Sequence, residues 1–281
     1  MFIRADQLLL QETEDGFPLH ALEFRWQGFE PGLKCRDVRT GQIAEFDLHD
    51  VRFSASRKKT CIGFYDDDGH HACPTQSPVT TFSQCPECSG ESFMPIQECL
   101  FEPQCDGERC DHDFCRREHV LYLAFYDTHT KIGMSSSKRV ERRLVEQGAD
   151  AFAVIGSYAT RRKAREAEKD ISSKLRIPQS FRQEFLLQNF SKPLDPDGIT
   201  SRYDSLRKSL EEAYRLDVAD LHWLDRYPIE LPLKAAPVLQ ETPGRHRGEL
   251  LGIKGKWLIY EKDGVKALSL SDLPSRFLSR G

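Results

Sequence analysis

Two sets of residues have the types and spacing to do chemistry, and the first is made of cysteines. Eight of the nine lie between Cys61 and Cys115. Zinc takes four thiolate or imidazole ligands in a closed tetrahedron, and a Cys-x2-Cys knuckle puts two thiolates on one tight turn. Cys85-Pro-Glu-Cys88 is such a knuckle. Cys61 and Cys73 upstream, with Cys99, Cys105, Cys110 and Cys115 downstream, complete eight thiols, enough for two four-cysteine sites. Spacing leaves the pairing open, and His70, His71, His112 or His119 can replace a thiolate. The competing readings are free thiols or a redox pair at Cys85 and Cys88. A redox Cys-x2-Cys opens a helix within a βαβ pattern, whereas the surroundings of Cys85 read as loop. The expectation is one or two structural Zn2+ ions, with Cys35 standing apart as a small buried residue.

The second set is Tyr122, Lys131, Arg143 and Glu168, whose types suit phosphodiester hydrolysis. A carboxylate can hold Mg2+ or Mn2+ against a phosphate. A guanidinium binds phosphate oxygens bidentately, and a tyrosine can orient or deprotonate the attacking water. Glu168 shares a helical face with the apolar stripe Ala164, Ala167, Ile171 and Leu175. A carboxylate facing a core needs a partner, a cation or a functional reason; the plainer alternative is an exposed Glu on a charged helix. Arg139 and Arg142 compete with Arg143 for a phosphate contact, but Arg143 shares its face with Val140 and Gln147 and so borders the packed surface. With Lys131 these arginines form the candidate nucleic-acid contacts.

The elements that must position these residues are legible as hydrophobic patterns. His119 to Tyr126 reads as a buried strand, Asp127 to Thr130 as a turn and Lys131 to Ser135 as a second strand. A helix is predicted from about Ser137 to Gln147, capped by Ser136 or Ser137 and stopped by Gly148. Ala151 to Ile155 reads as a third strand, and Thr160 caps a second helix ending before Pro178. The order is β-β-α-β-α, a three-stranded antiparallel sheet with helices. Alternation at Ala21 to Trp26 and Ile43 to Leu48 predicts an amino-terminal β region. Strands at Glu249 to Ile253, Trp257 to Tyr260 and Val265 to Leu268 predict a carboxy-terminal one, with Asp263-Gly264 as a two-residue hairpin turn. The two ends are candidates for sharing one sheet. Residues 179–200 read as loop, followed by a helix from Thr200 to Leu216 opened by Ser201 and Asp204.

The constellation resembles the GIY-YIG endonuclease superfamily. Val120-Leu-Tyr122 stands at its Gly-Ile-Tyr motif, Lys131-Ile-Gly133 at its Tyr-Ile-Gly motif, Arg143-Leu144 at its helical arginine and Ala167-Glu168 at its metal-binding glutamate. The match covers about 58 of 281 residues. His119 to Ala124, Lys131 to Gly133 and Glu146 to Ala149, after a Cys-rich segment, are more specifically similar to an uncharacterised prokaryotic Cys-rich family, a domain of unknown function with that fold. The resemblance implies a divalent-metal-dependent endonuclease. Two departures bear on catalysis: Val120 replaces the first glycine, and Lys131 replaces the second tyrosine. Tyr122 is then the only motif tyrosine left as a base.

Composition bounds what remains. A chain with 39% apolar and 30% charged residues reads as globular, and its amino terminus carries no signal-like or membrane-spanning stretch, so the expected location is cytoplasmic, with no membrane partner. The net charge of −4 excludes bulk coating of nucleic acid. Yet Lys131 to Arg176 holds twelve basic against six acidic residues, so the rest of the chain carries −10. The expected organisation is α+β: a β region (1–60), a Cys-rich zinc unit (61–118), the GIY-YIG-like module (119–178), a helical and Pro-rich connection (179–245) and a carboxy-terminal β region (246–281). Three functions follow: an endonuclease on DNA or RNA with structural zinc, a catalytically inactive zinc-stabilised nucleic-acid-binding protein, or a zinc-stabilised interaction protein.

Overall fold

A computed structural model describes residues 19–90, 99, 102–109 and 113–281. The candidate ligands Cys110 and His112 lie outside the described residues. The fold class is α+β, rich in β structure with several sheets. The chain divides into two compact units, Met1–Phe93 with Leu239–Gly281, and Met94–Val238. The division runs through the Cys-rich segment rather than around it.

In the first unit, strands β1 (Leu19–Gln27), β2 (Glu30–Asp37), β3 (Ile43–Phe46) and β4 (Arg52–Ala55) are followed by the short hairpin β5 (Phe64–Asp66) and β6 (Gly69–His71). Helix α1 (Pro86–Ser89) carries the Cys-x2-Cys turn. After the second unit the chain returns through β12 (Gly244–Arg247), β13 (Glu249–Lys254), β14 (Trp257–Glu261), β15 (Val265–Ser269) and β16 (Phe277–Arg280). The two ends do share a sheet: β16 lies between β1 and β4 in the order β12-β4-β16-β1-β2-β3. A second sheet has the order β11 (Val238–Leu239), β15, β14, β13, with β15, β14 and β13 antiparallel. Trp26, 1% exposed, donates from Nε1 to the Gly255 carbonyl at 2.9 Å, so its one polar atom is satisfied inside the core. Cys35 is likewise buried, and burial pushes its thiol up to about 12, leaving it inert. Between β14 and β15, Glu261 pairs with Val265, which makes a three-residue loop instead of the expected two-residue turn. Asp263 and Gly264 both take positive φ there.

In the second unit, α2 (Asp113–Arg116) leads into β7 (His119–Tyr126) and β8 (His129–Ser136). Then come α3 (Val140–Gln147), β9 (Ala151–Tyr158) and α4 (Arg161–Leu175). Strand β7 is central, antiparallel to β8 on one side and β9 on the other. Helix α3 ends at Gly148 in the left-handed conformation, and the Thr160 side chain caps α4 by accepting from the Lys163 N–H. A single turn of 3-10 helix, Ser137–Arg139, precedes α3, so the α-helix starts three residues later than the pattern suggests, and no Ser side chain caps it.

Three further features depart from the sequence reading. The sheet has four strands rather than three, because β10 (His222–Trp223) pairs with the free side of β9. The stretch read as loop contains α5 (Gln183–Asn189) and the first turn of α6 (Pro196–Tyr214). Pro196 sits in that first turn, where a missing N–H costs nothing, and Asp195 caps it through the Gly198 N–H at 2.9 Å, so the helix starts before the Ser201 box. The module core also extends past residue 178: Ile199, Tyr203, Leu206 and Leu210 of α6 pack with Leu121, Leu123, Phe125 and Ile132. No helix among the described residues is long and apolar enough to cross a membrane.

His20 on β1 gives this fold a pH dependence. It is buried, with Nε2 3.2 Å from the Thr60 carbonyl and its ring stacked on Phe277. Burial drives its pKa down to about 4, partly opposed by backbone carbonyls. The unfolded chain binds this proton near pH 6.5, so the contribution is intact above that pH and drains away as pH falls towards 4. Going from pH 7 to 5.5 is expected to cost on the order of 1 kcal/mol through His20. Urea denaturation at the two pH values checks this; a His20→Phe variant showing the same loss as the wild type would refute it.

Candidate functional site

The four upstream cysteines converge. The Sγ atoms of Cys61, Cys73, Cys85 and Cys88 all lie within 4.8 Å of one another and all four residues are buried. Cys73 and Cys85 are 3.9 Å apart. Zinc–sulfur bonds of about 2.3 Å in a tetrahedron require sulfurs roughly 3.8 Å apart, so the set has the dimensions of a zinc cage. Local structure builds it from two sides. Cys85 is the residue before α1, which lifts Cys88 onto the same side of the turn. Cys61 Sγ accepts N–H groups from Cys85 at 3.2 Å and Gly63 at 3.4 Å. Only glycine fits at 63, where φ is +85° and an added Cβ would collide with the His71 carbonyl.

The electrostatics favour a cation. Burial opposes ionisation at Cys73, but hydrogen bonds from the Thr75 hydroxyl and the Ser77 and Thr75 backbone outweigh it and bring this thiol down to about 6. Burial and the neighbouring thiols push Cys88 up, because a further thiolate beside existing ones is repelled. A divalent ion removes that conflict, and the cluster can hold a zinc ion. Among the described residues the downstream cysteines form no comparable set, and Cys110 lies outside them. Cys99, Cys105 and Cys115 are each buried, but among the described residues only the upstream four form a metal-sized group. The buried Arg161 guanidinium donates to the Cys99 carbonyl and packs over the Phe114 ring. His119 donates from Nδ1 to the Arg117 carbonyl at 2.8 Å and, among the described residues, belongs to no metal-sized group.

The second set is assembled on the module. In the β7–β8 register Tyr122 faces Gly133, and its ring lies directly over the glycine. A Cβ on Gly133 would come 2.6 Å from the ring's Cζ. Tyr122 is 1% exposed, and Arg143 donates from Nε to its hydroxyl at 3.4 Å. Lys131, one alternation along β8, donates to Gln147 Oε1 at 2.6 Å and lies over the Tyr126 ring. Glu168 is buried on α4, with Oε2 taking a 2.6 Å bond from Arg165 Nη1. Burial pushes its carboxyl above the ordinary range, and the Arg165 and Arg143 charges pull it only part of the way back. Arg143 therefore couples to both Tyr122 and Glu168. Arg139 and Arg142 are exposed and share Glu146, at 3.2 and 3.1 Å.

Sequence reasoning missed the residues that surround this constellation. Arg165 stands three positions before Glu168, a spacing at which helical side chains meet, so it was findable. Gln147 lies on the α3 face shared with Arg143. Glu102 and Gln179, which also bind Arg165, carried no signal because they are distant in sequence.

The model of the family described as protein of unknown function (DUF2797) matches residues 49–271. The chain belongs to that family. The match takes in both the four-cysteine cluster and the Tyr122 module. No curated protein and no solved structure matches the chain.

Two outcomes are expected from this geometry. Stripping metal with a chelator, or substituting Cys73→Ser, should remove one zinc equivalent and lower stability by on the order of 5 kcal/mol, read by elemental analysis and thermal unfolding; full stability with no bound zinc would contradict it. Gly133→Ala should cost roughly 1–3 kcal/mol by forcing Tyr122 off the strand, measured by chemical denaturation.

Proposed function

We propose that this protein is a zinc-stabilised, divalent-metal-dependent endonuclease of the GIY-YIG type, acting on phosphodiester bonds of DNA or RNA. The observation that carries the reading is the meeting of a buried tyrosine hydroxyl, a guanidinium bonded to it and a buried carboxylate under that guanidinium's charge. In this reading the Tyr122 hydroxyl orients the attacking water, and Gly133 leaves room for its ring. Arg143, half-buried, holds the phosphate and keeps the Tyr122 hydroxyl in place. Lys131 offers a second positive charge on the same strand face, fixed by Gln147. Arg139 and Arg142 extend the basic surface along α3.

The donor chemistry at Glu168 fits a hard divalent cation, since a carboxylate oxygen is the ligand type that Mg2+ and Mn2+ prefer. Bound there, the cation would neutralise charge on the phosphate and the leaving oxygen. The four-cysteine cluster has no such role in this reading and braces the fold. One observation favours the second reading, binding without cleavage: the Glu168 carboxylate is already paired with Arg165.

Zinc-replete protein incubated with Mg2+ or Mn2+ and a panel of single- and double-stranded DNA and RNA separates these readings. Nicking is expected, and Glu168→Gln should lower its rate about 100-fold or more while leaving salt-dependent binding nearly unchanged. Tyr122→Phe should also impair turnover, and Arg143→Ala should weaken both binding and turnover. Tight, salt-sensitive binding with no cutting of any substrate would favour the binding protein; equal cutting by Glu168→Gln would remove Glu168 from the site.

A further inference from the structure

We propose that Arg165 is a built-in counter-cation of Glu168, which a divalent metal must displace and which Glu102 receives when it does. The inference rests on Glu168 being the metal-binding carboxylate of the proposed nuclease. Three groups share the Arg165 side chain. Nη1 is bonded to Glu168 Oε2 at 2.6 Å and to Gln179 Oε1 at 2.8 Å, while Nε reaches Glu102 Oε2 at 3.1 Å. Glu102 also takes Lys169 Nζ at 2.7 Å. The two carboxylates differ in setting: the Glu168 side chain is 6% exposed, whereas that of Glu102 is 41% exposed.

This difference gives the arrangement a direction. A buried carboxylate without a counter-charge is costly, so in the absence of metal Arg165 stabilises Glu168. A metal ion brought onto Glu168 meets the Arg165 charge at hydrogen-bonding distance and the Arg143 charge nearby. Both repel it. Arg165 is already tethered by Nε to a carboxylate with access to solvent, so it can leave Glu168 without being stranded. Lys169 on the same carboxylate is replaceable by water, being half-exposed. The site therefore binds metal weakly on its own, and a phosphate group between Arg143 and the ion strengthens it by adding the missing negative charge. In chemical terms, the nucleic acid completes the metal site.

Substitutions on the two sides of the pair should act in opposite directions. Mn2+ is titrated into zinc-loaded protein and the free ion is read by electron paramagnetic resonance, with no nucleic acid present. Arg165→Gln should bind Mn2+ about tenfold more tightly than wild type or better, since a charge-assisted bond no longer competes. Glu102→Gln should bind it more weakly than wild type, because Arg165 then has no charged alternative to Glu168. The double substitution Arg165→Gln, Glu168→Gln should lose the gain. Equal or weaker Mn2+ binding by Arg165→Gln, with wild type binding measurably, would overturn the counter-cation role and leave the nuclease reading standing. Absence of Mn2+ binding in both would overturn the role and the metal-dependent reading together. If Arg165→Gln fails to fold, Glu102→Gln decides alone: unchanged or tighter binding refutes the proposal.

Discussion

The pairing register of β7 with β8 is the constraint on which the candidate site depends. Because side chains alternate along a strand, the register that buries Leu121, Leu123 and Phe125 with Ile132 in one core must turn Tyr122 to the other face, opposite Gly133. A slip of one residue would put the tyrosine into the core and a leucine over the glycine. Burial of four large apolar side chains thus fixes the direction of one phenol. The same alternation sets Lys131 on the Tyr122 face, and α3, following β8 after one 3-10 turn, brings Arg143 to the hydroxyl.

Charge is the second organising factor. The basic surplus between Lys131 and Arg176 is not a uniformly solvated surface. Arg139 and Arg142 are spent on Glu146, exposed and screened, and contribute little. Arg143 and Arg165 act on a buried carboxylate, where interactions are stronger and an unpaired group is expensive. Among the described residues Glu168 is the buried acidic side chain, and its counter-charge is the neighbouring Arg165 on the same helix.

The Cys-rich segment follows another rule. Around Cys61 to Cys88 the buried cluster is made of the four thiols, with Phe64 and Val79 partly buried beside them. Apolar burial of that size cannot order some thirty residues, whereas four ligands closing on one ion can. The unit holding this cluster is closed by β16, which joins the two ends of the chain in one sheet.

Much of this was determined locally and could be read as such. The buried strand at 119–126, the Gly148 stop, the Thr160 cap and the strands at 249–269 follow from alternation, capping chemistry and glycine's tolerance of positive φ, all properties of a few neighbouring residues. So do the residue types Tyr122, Arg143, Glu168 and the cysteines. The sequence could not show which cysteines assemble, that β10 adds a fourth strand, that α6 completes the module core, or that Arg165 bridges Glu168 to Glu102. Each of these joins residues far apart along the chain, by 12 positions for Cys73 and Cys85, 63 for Glu102 and Arg165, and 78 for Phe125 and Tyr203. Local propensity is set by neighbours within about one turn or one strand pair, whereas ligand sets and buried ion pairs are set by which surfaces the packed core brings within a few ångströms.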